Sequence, residues 1–230
     1  MRHPRHLAFA LAASAAIALA PTVAAASASP ATPSPSGASI AATGTPGGVP
    51  ACASCHGAQG EGNAIAGFPR LAGTGADYLA SQLAAFADGT RHNAVMQPIA
   101  SMMSADERTA VAQYFSSLPA PADIRGDDAP DASPSDLGAW LATRGRWQDG
   151  LPACVQCHGP GGAGVGSVFP PLAGQSADYI RNQLHGWKDG TRPPGPLALM
   201  QNVASKLSDA DIDAVADYYA QRPSAPAHSR

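Results

Sequence analysis

The sequence predicts an all-α fold in which one small helical domain occurs twice in tandem. Three observations carry that prediction. The chain repeats itself: Cys52, Cys55 and His56 are matched by Cys154, Cys157 and His158, Gly60 and Gly62 by Gly162 and Gly164, Phe68-Pro69 by Phe169-Pro170, Asp77-Tyr78 by Asp178-Tyr179, and the run Asp-Gly-Thr-Arg at Asp88 by the same run at Asp189. Apolar residues recur in both copies at the spacing of a buried helical stripe, and no alternating run is long enough for a useful strand. Between the copies lies a stretch rich in Pro, Asp and Ala with no hydrophobic periodicity, which reads as a connector.

The elements follow in chain order. Residues 1–28 read as a secretory signal peptide: Arg2, His3, Arg5 and His6 give a basic start, Leu7 to Ala20 is uninterrupted apolar sequence, and small residues around Ala26 and Ala28 offer cleavage sites. That apolar run falls well short of the roughly 20 residues a spanning helix needs, and no later stretch approaches the length. The mature protein is therefore expected to be soluble and periplasmic, in an oxidising compartment. Of 14 Lys and Arg, Arg2 and Arg5 leave with the signal, so 12 face 17 Asp and Glu. A mild acidic excess argues against nucleic acid as a partner. A Pro/Ser tail over 29–37 is expected to be disordered. The first domain is expected over 38–120, the linker over 121–134 and the second domain over 135–225.

Within each half the pattern is helical. Leu79, Leu83 and Phe86, like Ile180, Leu184 and Trp187, fall at i, i+4 and i+7 on one face, and each helix stops at Asp-Gly. A last helix opens at Ser104 or Ser208, where the serine caps and an acidic residue three positions on faces the free amides. Val111 and Phe115, or Val215 and Tyr219, mark its buried stripe. The segment before the first cysteine motif is Gly-rich and lacks the bulk of its counterpart in the second half, so the opening helix of the first domain is expected to be short or frayed.

Such a unit has little apolar material of its own. Alanine supplies much of the 45% hydrophobic content and aromatics are 6%, so two small helical domains are hard to stabilise by side-chain burial alone. A large apolar group in each core solves this, and Cys-x-x-Cys-His is the attachment sequence of c-type haem. Two cysteines three positions apart in a short helical turn reach the two vinyl groups of one porphyrin edge, and the next residue aims its imidazole at the iron. Cys52, Cys55, Cys154 and Cys157 are thus expected to carry two c-type haems, with His56 and His158 on the irons. Zinc and plain disulfides or redox pairs are the competing readings. Export disfavours free thiolates for zinc, and none of these explains a histidine directly after both pairs.

A histidine on one side of the iron asks for a partner on the other, and methionine is a common one in electron carriers. The second half contains only Met200, eight residues before Ser208; Met96 stands at the same distance before Ser104. Met96 and Met200 are therefore the expected axial ligands. The alignment sets Met102 opposite Lys206, partly exposed, and Met103 opposite Leu207, in the core. His92 and His185 are rivals that the other half does not share. Arg91 and Arg192, each after Asp-Gly-Thr, are candidates to pair with haem propionates, although a solvated arginine after a turn is the plainer reading.

With these residues in place the chain resembles the dihaem cytochromes c of the c4 type: two class I cytochrome c domains in tandem, each wrapped around one covalently attached haem, with a Phe-Pro-x-Leu-Ala-Gly loop and a methionine shortly before the last helix. The resemblance implies that the carbonyls of Pro69 and Pro170 accept the imidazole N–H of His56 and His158. It also implies single-electron transfer without substrate chemistry, from a quinol-oxidising complex or dehydrogenase to a terminal oxidase or similar acceptor, by a protein able to dock on membrane complexes. The alternative is the cytochrome subunit of a periplasmic dehydrogenase, or a dihaem oxidoreductase such as a peroxidase. Paired methionines leave a peroxidase no open coordination position.

Overall fold

The computed structural model describes residues 35–119 and 132–222, all within one compact unit. The expected signal peptide and most of the expected linker lie outside the described residues, as do the last three positions of the second domain as expected from the sequence. Ten α-helices occur among the described residues, and the only β pairing there is three isolated bridges. In the first half these are α1 (Gly37–Thr43), α2 (Ala53–His56), α3 (Ala76–Ala87), α4 (Met96–Ser101) and α5 (Ala105–Ser117); in the second, α6 (Leu137–Thr143), α7 (Val155–His158), α8 (Ala177–Lys188), α9 (Leu199–Ala204) and α10 (Asp209–Ala220).

Each half is framed by its first and last helices. α1 crosses α5 and α6 crosses α10, and both crossings are made at a glycine. A Cβ on Gly37 would lie 2.0 Å from the Ala110 carbonyl oxygen, and one on Gly138 would lie 2.4 Å from that of Ala214. The backbones touch there, which seats Ile40 and Ala41, or Leu141 and Ala142, in the core beneath. The opening helix of the first half is short, as expected, but not frayed: it is 7 residues long, as α6 is, and the Ser36 hydroxyl accepts from the Ser39 amide at its N-terminus. The glycine that looks like a weak point in the sequence is the contact point of the helix pair. The helix also takes over the end of the stretch expected as tail, since Ser36 caps it and Gly37 begins it.

The last helices begin as their sequences predict. Ser104 and Glu107 form a reciprocal capping box on α5, and Ser208 and Asp211 form one on α10. The second half adds an anchor the first lacks. Arg146, from the insertion before the second cysteine motif, donates both terminal nitrogens to the Asp211 carboxylate at 3.0 Å, with Asp211 only 4% exposed. Burial pushes that carboxyl up, but the Arg146 fork and the Ser208 amide outweigh it and hold the group below the usual carboxylate range.

α3 and α8 carry the contact between the halves. The Tyr78 amide donates to the Ser167 carbonyl at 2.9 Å, and the Ser167 hydroxyl donates to Asp77. The Gln175 side chain clamps the backbone of Arg70, accepting from its amide at 3.0 Å and donating to its carbonyl at 3.2 Å. Arg192 donates to Tyr78 and Gln82, while Arg91 donates to Tyr179 and Gln183 and also to Gln82 of its own half. No helix among the described residues is long and apolar enough to cross a membrane.

Candidate functional site

Each Cys-x-x-Cys-His forms one short helical turn. The His56 amide bonds the Cys52 carbonyl at 2.9 Å, and the His158 amide bonds that of Cys154 at 2.9 Å. The two cysteines of each motif therefore stand one turn apart on one side, with the histidine directly after them. All four are free and half-buried thiols. Burial pushes the Cys52 thiol up and that of Cys154 to about 11.

The histidines are fixed from behind. His56 Nδ1 lies 2.9 Å from the Pro69 carbonyl oxygen, and His158 Nδ1 lies 2.7 Å from that of Pro170. A carbonyl only accepts, so Nδ1 carries the proton and Nε2 keeps its lone pair for a metal. Both rings are 6% exposed, and desolvation by burial lowers both pKa values, the carbonyl bond opposing it. Phe68 and Phe169 stand against the rings at centroid distances of 5.9 and 6.2 Å. The histidine carbonyls are held too, by the amides of Gly62 and Gly164 at 2.7 Å. Each imidazole is thus a buried, neutral, oriented donor, the state an iron ligand requires.

The methionines sit where the repeat puts them. Met96 is the first residue of α4 and Met200 the second of α9, and both are half-buried. Met102 is 47% exposed and Met103 5%, matching exposed Lys206 and buried Leu207. His92 is exposed and His185 lies near the end of α8. The approaches to the two methionines differ. The Asn93 side chain accepts from the amides of Val95 and Met96, at 3.0 and 2.9 Å. Before Met200 the chain instead passes through Leu197 and Ala198 in left-handed backbone, at φ 57° and 50°, a strained arrangement for residues with a Cβ.

Arg91 and Arg192 correct the reading of a solvated arginine after a turn. They are 7% and 6% exposed, and each lies over an aromatic ring of its own half, Arg91 over Phe86 at 4.4 Å and Arg192 over Trp187 at 3.7 Å. A third buried guanidinium, Arg70, is 3% exposed and bonds nothing among the described residues. None of the ion pairs there involves any of the three. Three buried cations without a carboxylate are costly on their own. They fit a core that receives groups bearing carboxylates, as haem does. Sequence reasoning missed Arg70, Gln175 and the glutamines of the contact; Gln82 and Gln183, repeated at matching positions of α3 and α8, were the available signal.

The comparisons with known proteins agree with this geometry. The cytochrome c family model matches residues 36–119, and the model described as cytochrome c oxidase, cbb3-type, subunit III matches residues 139–218. The reduced cytochrome c4 of Pseudomonas stutzeri superposes with a TM-score of 0.64 at 33% identity, over 74% of this chain and 93% of that one. The chain belongs to the cytochrome c4 family. It therefore binds two c-type haems, attached through Cys52 and Cys55 and through Cys154 and Cys157, and this cytochrome is an electron carrier, not a catalyst. A thiosulfate dehydrogenase electron acceptor from Thiomonas intermedia is 49% identical over 77% of this chain and 81% of its own length. A thiosulfate dehydrogenase from Marichromatium purpuratum has a TM-score of 0.74 at 42% identity, over 84% of this cytochrome but only 41% of that chain.

Proposed function

We propose that this cytochrome is exported by residues 1–28 to the periplasm and there takes single electrons from a thiosulfate dehydrogenase, passing them to a terminal oxidase or a similar acceptor. In this reading His56 and Met96 are the axial ligands of the first haem and His158 and Met200 those of the second. The haem iron supplies the one-electron couple. The protein's own residues bury and orient it. Pro69 and Pro170 hold each imidazole in the tautomer that leaves Nε2 for the metal, and Met96 and Met200 would hold the iron where peroxide or carbon monoxide would otherwise bind.

The observation that carries the ligand reading is the pair of imidazole-to-carbonyl bonds, at 2.9 and 2.7 Å, repeated in both halves with a half-buried methionine at the same sequence distance before each last helix. The choice of donor rests on the name of the Thiomonas relative and on the likeness to the Marichromatium enzyme. Mixing the oxidised cytochrome with thiosulfate and a thiosulfate dehydrogenase tests it directly. Fast reduction of both haems, absent when the dehydrogenase is left out, is expected. Reduction no faster than that of an unrelated cytochrome c would remove this donor and leave a quinol-oxidising complex as the next to try.

A further inference from the structure

Arg70 is the cation that the two halves do not share. Arg91 and Arg192 occupy matching positions of the repeat, and each bonds the tyrosine and the glutamine of the opposite half. The position of Arg70 in the second half is held by Pro171. Its backbone is clamped across the contact by Gln175, its residue is 3% exposed, and Nε, Nη1 and Nη2 have no hydrogen-bond partner among the described residues. It directly follows Pro69, whose carbonyl holds the His56 ring. Peptide geometry therefore places the Arg70 Cα within about 6 Å of that ring, on the loop behind the first haem's histidine. Burial lowers the Arg70 pKa only to about 10, so it is charged at neutral pH.

Reduction adds one negative charge at the iron. A nearby cation favours that state, and in a poorly solvated interior it does so over several ångströms, because little water screens it. Resting on the ligand reading above, we propose that Arg70 is the positioning charge that makes the two haems unequal, raising the reduction potential of the first above that of the second. An electron entering at either haem then settles in the first half, next to Arg70. The guanidinium takes no part in the transfer. It biases where the electron rests.

The test is a redox titration of the haem-loaded protein, with Arg70→Gln, which removes the charge, and Arg70→Lys, which keeps it. A Met200→Ala background reports the first haem alone through its sulfur–iron near-infrared band, and if that background does not halve the band the ligand reading fails, whatever Arg70 does. In the singly reduced protein, Arg70→Gln should move the electron distribution at least tenfold toward the second haem, which is about 59 mV for a one-electron couple. The first midpoint should fall, the second should hold and Arg70→Lys should restore the first. Equal shifts at both haems, or none, overturn the proposal. If Arg70→Gln does not accumulate, Pro171→Arg carries the test: it should raise the second midpoint and narrow the gap, and an unchanged gap overturns the proposal equally.

Discussion

At the scale of single residues, three methionines crowd one stretch of the first half, and burial separates them. Met103 is 5% exposed in the cluster with Val111 and Phe115, Met102 points to water, and Met96 opens α4 half-buried. Met103→Ala should lower stability by about 2–4 kcal/mol, read from thermal melting, because it empties part of a packed core. The sulfur–iron band should survive that change intact. Met96→Ala should remove half of the band and lower one midpoint, since water or a nitrogen ligand replaces a weak thioether donor. A band unchanged by Met96→Ala but halved by Met102→Ala would mean that the repeat is misaligned in this segment. The different burial of Met102 and Met103 was legible in the sequence, because the repeat sets them opposite Lys206 and Leu207. Arg70 was not legible, since its role follows from burial and from Gln175, 105 positions away, and no periodicity reports on such a pair.

At the scale of elements, α1 sets two effects against each other. Alanine favours a helix over glycine by about 1 kcal/mol, yet a Cβ on Gly37 would stand 2.0 Å from the Ala110 carbonyl oxygen, a backbone atom that cannot swing aside. The clash wins. Gly37→Ala should destabilise the first half by about 1–3 kcal/mol, as other overpacked contacts do, and a variant that melts higher would show the crossing to be loose. The sequence showed the glycines of this segment but not what lies against them. α10 has a pH-dependent start. Asp211 is held below its ordinary value, so its contribution is present above the unfolded carboxylate pKa, near 3.9, and is lost as pH falls through the lower folded value. Asp211→Asn should therefore cost about 2 kcal/mol at neutral pH, and the gap in melting temperature should close as the pH is taken below 4. A gap that does not depend on pH would assign the loss to packing instead.

At the scale of the whole molecule, side-chain hydrogen bonds join the two halves. Arg192 reaches Tyr78 and Gln82, and Arg91 reaches Tyr179 and Gln183. Arg192→Gln should weaken this contact by about 2 kcal/mol, in the range of hydrogen bonds to a charged group. Calorimetry of the haem-loaded protein should then show melting that broadens toward two transitions. A single, unshifted transition would mean that the contact contributes little. The sequence repeat implied two domains, but it left open how they meet, because the residues that meet lie on the faces that helical patterning marks simply as polar.

The crossed bonding of that contact has a consequence for association. Tyr78 and Tyr179, Gln82 and Gln183, and Arg91 and Arg192 are the same residues of the repeat, so each half offers the other the surface it receives. In a dimer of separate chains this would be an isologous, two-fold interface, which closes on itself and cannot propagate. Here both partners belong to one polypeptide, and the self-complementary patch that would otherwise pair one copy with another is already covered within the chain.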